Sequence, residues 1–188
     1  FINMDIKKTA NSFANFTIKR VAEIFGLTVF CAGALLLLAL ITYSPEDPNF
    51  IFPENTKIDN ILGFQGSFVS DVFFQSIGLV SYFFSFTLII TGINIIRSKE
   101  FFLIIENIFF AIIYFIFGTL FFAHFYSEAF TLYINGNGGF IGDYLNQTFL
   151  NSIILINEVI FYYLLIFLSI FLFLISINFY PIKFYELI

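Results

Sequence analysis

From Ile24 to Tyr43 the chain carries twenty residues without a charge, and the run stops at Ser44-Pro45-Glu46-Asp47-Pro48. Twenty helical residues rise about 30 Å, the thickness of a bilayer's hydrocarbon core. Pro45 lacks the N–H that a continuing helix needs, and Glu46 and Asp47 are costly in lipid, so the chain leaves the membrane at Ser44. Three more apolar runs follow, at about 77–96, 101–123 and 159–178. Composition agrees: 11% of the residues are charged, against about 25% in a typical soluble domain. The expected fold is all-α, a polytopic membrane protein whose four transmembrane helices fill one domain over 21–180.

Residues 1–20 hold four of the eight basic residues, Lys7, Lys8, Lys19 and Arg20. On a helix, Ile6, Ala10, Phe13 and Phe16 share a sector, which predicts an interfacial helix, with a disordered basic tail as the alternative. Only Arg97-Ser98-Lys99-Glu100 separates the second span from the third, so those helices are antiparallel neighbours. Lys7, Lys8, Lys19, Arg20, Arg97, Lys99 and Lys183 then fall on one side of the membrane and Lys57 alone on the other. By the positive-inside rule both termini are cytoplasmic, and 181–188 starts a cytoplasmic linker. The segments 44–76 and 125–158 lie outside, with Asn137 expected in an exposed loop.

Those outer segments contain a repeat. Gly63-Phe64-Gln65-Gly66-Ser67-Phe68 and Gly139-Phe140-Ile141-Gly142-Asp143-Tyr144 stand 76 residues apart, and each leads towards a span. The chain therefore reads as two tandem helix-loop-helix units. Apolar residues after each second glycine take helical spacing, predicting short amphipathic outer helices. The glycines permit close approach or positive φ.

Thr42-Tyr43-Ser44-Pro45-Glu46-Asp47-Pro48 after the first span, Ile61 to Asp71 with Gly63 and Gly66 before the second, and Gly138-Gly139-Phe140-Ile141-Gly142-Asp143 before the last carry a resemblance over about Lys19 to Asn178. In order and spacing they resemble the N-terminal four-helix membrane domain of FtsK/SpoIIIE-type bacterial DNA translocases. The resemblance implies an inner-membrane anchor that holds a hexameric ATPase at the division septum, where the motor moves chromosomal DNA. It implies a homo-oligomer, other division proteins as partners, and contact with DNA only through the motor. Tyr43, Ser44, Pro45, Asp47, Pro48, Gly63, Gly66, Asp71, Gly139, Gly142 and Asp143 are the structural or interaction residues it points to. No Gly-x-x-x-x-Gly-Lys-Ser/Thr phosphate loop occurs, so this chain is expected to be no ATPase: either a fragment of a translocase or a stand-alone homologue.

Candidate chemistry is sparse. Cys31 is the only cysteine and reads as a buried apolar residue, and no metal or cofactor set is expected. Glu106, His124 and Glu158 sit near span ends, where they read as interface residues. No ionisable group falls at mid-membrane, which speaks against the alternative of a transporter or channel; a membrane-assembly subunit is the other alternative. Small residues form stripes: Gly26 and Gly33 on the first span, Gly78, Ser81, Ser85 and Gly92 on the second, Ala111 and Gly118 on the third. In lipid such stripes let helices approach closely, within the bundle or between copies.

Overall fold

The computed structural model of the protein describes residues 2–48, 57–127 and 136–179. The described residues form seven α-helices and no strand: α1 (Ile2–Ile41), α2 (Gly63–Ile77), α3 (Ser81–Ser98), α4 (Leu103–Phe125), α5 (Gly139–Asn146), α6 (Phe149–Ile154) and α7 (Glu158–Ser176). Four stretches are long and apolar enough to cross a membrane: 11–41, 63–98, 103–125 and 158–176. α1 ends at Ile41, and the turn that follows carries Thr42 N onto Leu38 O at 3.1 Å.

Two features differ from the sequence reading at the starts of the first two spans. No separate helix occupies the first twenty residues; α1 is unbroken from Ile2, because neither proline nor glycine interrupts the chain before Gly26. Its forty residues extend about 60 Å, roughly twice a bilayer core. Phe13 and Phe16 lie exposed on that extension. The second span is not one continuous helix from Ile77: Gly78 (φ +58°) ends α2 and opens a 3₁₀ turn over Gly78–Val80, and α3 starts at Ser81. Gly78 thus belongs to a joint between two helices and not to a packing stripe.

The helices pair within each tandem unit, α1 along α3 and α4 along α7, and α3 joins the two pairs through α4. The glycines explain how closely they meet. A Cβ on Gly92 would lie 2.5 Å from Phe30 N and 2.7 Å from Gly26 O, and one on Gly33 2.7 Å from Ile89 N, so α1 and α3 touch backbone to backbone. Gly118 gives way to Val80, whose methyl would stand 2.9 Å from an added Cβ. Ala111 is fully buried in a cluster with Val80 and Tyr114, with Phe83 and Phe173 packed against it. Ser81 and Ser85, also fully buried, turn their hydroxyls back to Gly78 O (2.6 Å) and Tyr82 O (2.7 Å). These glycines and alanine are thus used for contacts inside the chain. Cys31, expected to be buried, is exposed on the surface of α1.

A buried polar network crosses the bundle towards the α3–α4 hairpin. Thr87 Oγ1 lies 3.1 Å from both the Tyr114 hydroxyl and Ser176 Oγ. Asn107 Nδ2 donates to Thr91 Oγ1 at 2.7 Å, Asn178 Nδ2 to Asn107 Oδ1 at 2.9 Å, and Asn94 Nδ2 to Ile177 O at 3.2 Å. α3, α4 and the end of α7 are thereby tied at several points. In hydrocarbon an unsatisfied amide is costly, so these pairings specify which faces meet. At the hairpin itself Glu23 of α1 forms ion pairs of 2.6 Å with both Arg20 and Lys99.

Candidate functional site

At the opposite end from the hairpin, the segments between spans fold into a layer over the bundle. Its first half is built on Asp47. Pro45 and Pro48 turn the chain sharply after α1, and Asp47 N closes the turn on Ser44 O at 3.2 Å. The Asp47 carboxylate, almost wholly buried, accepts from Asp59 N at 2.7 Å and Asn60 N at 2.9 Å. Two backbone donors satisfy a charge that would otherwise be costly to bury. Pro48 O accepts from Ser67 Oγ of α2 at 3.1 Å, and the Tyr43 hydroxyl donates to Asp71 Oδ1 at 3.2 Å. Tyr43, Ser44, Pro45, Asp47, Pro48, Gly66 and Asp71 thus meet in one lock between α1 and α2.

Asn60 completes the lock, and it was not singled out in the sequence. Its side chain donates to Ala39 O at 2.9 Å and accepts from Leu62 N at 3.1 Å. The second bond is the turn that Asn makes with the backbone two residues on, just ahead of Gly63 with φ +65°. An Asn three residues before a helix-starting glycine was the legible signal.

The second half repeats this geometry with different partners. α5 starts at Gly139 with φ +64°, matching Gly63 at the start of α2, and the second glycine of each copy is buried. A Cβ on Gly66 would lie 2.5 Å from Leu62 Cβ, against its own entry turn, whereas one on Gly142 would run into Thr119 O and lie 2.9 Å from Thr119 C on α4. His124 Nδ1 lies 3.0 Å from Asn146 Oδ1, tying α4 to α5, which accounts for the histidine as a structural group. Asp143 stands apart from this lock. Partial burial raises its carboxyl above the usual aspartate range, and it makes no ion pair among the described residues.

The two halves join at Asn137. Leu79 N donates to Asn137 O at 2.9 Å, Asn137 Nδ2 donates to Tyr126 O, and a Cβ on Gly139 would lie 2.6 Å from Gly78 N. Asn137 is fully buried, contrary to the exposed loop expected of it. The run Asn-Gly-Asn-Gly-Gly has the composition of a surface turn, and it is drawn inside by the fit of its backbone against Gly78 and α4 and by the Asn137 side-chain bond to Tyr126 O.

Among the described residues no three His, Cys, Asp or Glu side chains converge as a metal site. Among the described residues the arrangement is one of interlocked backbone and buried hydrogen bonds that fixes a surface. A groove of about 490 Å³ opens beside this layer between α1, α2 and α3, with walls that include Leu35, Leu36, Val69 and Leu88.

No solved structure matches this chain. Among curated proteins it is similar to a DNA translocase FtsK of Caulobacter vibrioides, 35% identical over 79 residues that cover 42% of this chain and 10% of that protein. A DNA translocase FtsK of Rhizobium meliloti is 26% identical over 98 residues, 52% of this chain and 11% of the relative, and one of Brucella melitensis is 33% identical over 69 residues, 37% and 8%. The matches thus span about a tenth of the length of these relatives. The family described as the 4TM region of DNA translocase FtsK/SpoIIIE matches residues 18–182, from the middle of α1 past the end of α7. The chain is therefore a member of the 4TM membrane-region family of the FtsK/SpoIIIE DNA translocases.

Proposed function

We propose that this chain is the non-enzymatic membrane anchor of a DNA translocase: it seats the translocase in the inner membrane at the division septum, with both ends of the bundle's chain in the cytoplasm. The observation that carries the proposal is the family match from 18 to 182, which takes in most of the first span, the other three spans and both outer segments. Charge supports the orientation. Lys19, Arg20, Arg97 and Lys99 gather at the hairpin end, while the opposite layer carries Asp47, Asp59, Asp71, Asp143 and Glu158 against Lys57. The polar network supports the anchoring role, because it holds the end of α7 to α3 and α4 where the chain turns cytoplasmic. In this reading copies of the chain associate as the translocase assembles, and DNA is met only by the motor. A transport reading gains nothing from the structure, since the polar groups inside the bundle are hydrogen-bonded to one another.

The test is localisation and labelling in dividing bacteria. A fluorescent fusion of the chain is expected to concentrate at septa; an even membrane distribution at all stages of division would refute the targeting role. In a Cys31→Ala background, Glu46→Cys should react with a membrane-impermeant maleimide in intact cells and Ser98→Cys should not. Both positions are exposed, so burial cannot mimic the result, and the reverse pattern would overturn the orientation.

A further inference from the structure

Where α4 ends and α7 begins, side chains make a small cage at the membrane boundary. Phe125, Glu158, Val159, Tyr162 and Tyr163 line a cavity of about 260 Å³. Tyr162 stands edge-on to Phe125 (centroids 5.1 Å apart, 82°) and to Tyr163 (5.4 Å, 85°), and its hydroxyl is held 2.8 Å from that of Tyr126. Three rings thus border one small volume, with Tyr162 in contact with both of the others. Glu158 adds a carboxylate that has no ion pair among the described residues. Aromatic rings and a carboxylate around one cavity are the chemistry that holds an alkylammonium group.

We propose that this cage binds the ammonium headgroup of a zwitterionic phospholipid, seated against Glu158, Tyr162 and Tyr163. The position favours a lipid over a soluble amine: α7 runs uncharged from Val159 onward, so its first turn lies at headgroup depth, and Val159 and Tyr163 are each 68% exposed on the side the bilayer covers. A carboxylate in a first helical turn also complements the helix dipole. That role alone requires no wall of rings beside it.

Native mass spectrometry of the protein, released from detergent micelles containing equimolar phosphatidylethanolamine and phosphatidylglycerol, tests the assignment. The expected result is at least fivefold more ethanolamine lipid retained. Glu158→Gln and Tyr163→Ala should abolish that preference while leaving the melting temperature in detergent unchanged, and Phe140→Ala, on the exposed face of α5, should keep it. Equal retention of the two lipids by the unsubstituted protein, or an undiminished preference in both cage variants, overturns the proposal. Millimolar lysine amide that binds at this cage when ethanolamine lipid does not would assign it instead to a basic side chain of a partner, and would equally overturn the lipid assignment.

Discussion

Replacing Gly142 by alanine tests whether the second outer helix is held by direct contact with α4. The added methyl would meet Thr119 O and stand 2.9 Å from Thr119 C and 3.0 Å from Ala123 Cβ, all on α4. Carbon contacts are most favourable at about 3.5–4.0 Å, so α5 must move outward by roughly 1 Å. Overpacking of this kind costs about 1–3 kcal/mol. The same movement strains the joint at Asn137, where Leu79 N donates across 2.9 Å, and loss of one such bond adds about 0.5–1.5 kcal/mol. Gly63→Ala provides the contrast. Its methyl meets nothing within 4 Å, and only the φ of +65° is unfavourable, a penalty of about 1–2 kcal/mol. Phe140→Ala, 60% exposed on α5, should lie within about 0.5 kcal/mol of the unsubstituted protein. Unfolding in mixed detergent–dodecyl sulfate micelles, followed by circular dichroism, should rank Gly142→Ala as the most destabilised, Gly63→Ala next and Phe140→Ala last. Should Gly142→Ala match Phe140→Ala, the close approach of α5 to α4 would be wrong.

Two further outcomes follow from the outer layer. Asp47→Ala leaves Asp59 N and Asn60 N without their buried acceptor and should cost about 3 kcal/mol or more in the same unfolding assay, with Asp47→Asn recovering part; an Asp47→Ala protein as stable as the parent would remove the lock from the account. Asp143 titrates higher folded than unfolded because burial disfavours its charged form, so its contribution is fully present below its ordinary value of 3.8 and is lost as pH rises through the raised folded value. Stability measured from pH 4 upward should accordingly fall less steeply in Asp143→Asn, and an unchanged slope would show that the carboxyl is not desolvated.

Much of this fold is written in patterns with a simple physical meaning. Runs of twenty uncharged residues, a four-residue hairpin and two glycine pairs at equal spacing read directly as spans, an antiparallel neighbour and a duplicated outer helix. What escaped was whatever depends on which surface meets which. Asn137 and Asn60 are polar and lie among turn-formers, so composition places them at the surface; both are buried because a backbone group elsewhere needs their amide or carbonyl. Thr87, Thr91 and Asn107 lie in spans where a single polar residue says little, and they acquire meaning only when Tyr114, Ser176 and Asn178 arrive from other helices. Gly78 sat at helical spacing with Ser81 and Ser85, and nothing local distinguished a joint from a stripe.

The two copies of the repeat keep one backbone geometry and divide the labour between them. Gly63 and Gly139 share a left-handed φ within a degree, so the entry into the outer helix is the conserved part of the duplication inside this chain. The second glycines diverge in what they admit. At Gly66 the close neighbour is the copy's own entry turn, braced by Asp47 and Asn60, so α2 is anchored by a loop and leaves the apolar groove of about 490 Å³ between itself and α1. At Gly142 the neighbour is α4 itself, so α5 lies directly on a span and meets α2 at the joint with Gly78. A load applied to α7 would therefore reach the second copy through helix packing, along α4 and into α5, and would reach the first copy through α3 and through the contact of α5 with α2 beside Gly78. The glycine in the α5 contact should consequently be the less tolerant of the two to a methyl group, since a loop can yield where a packed span cannot.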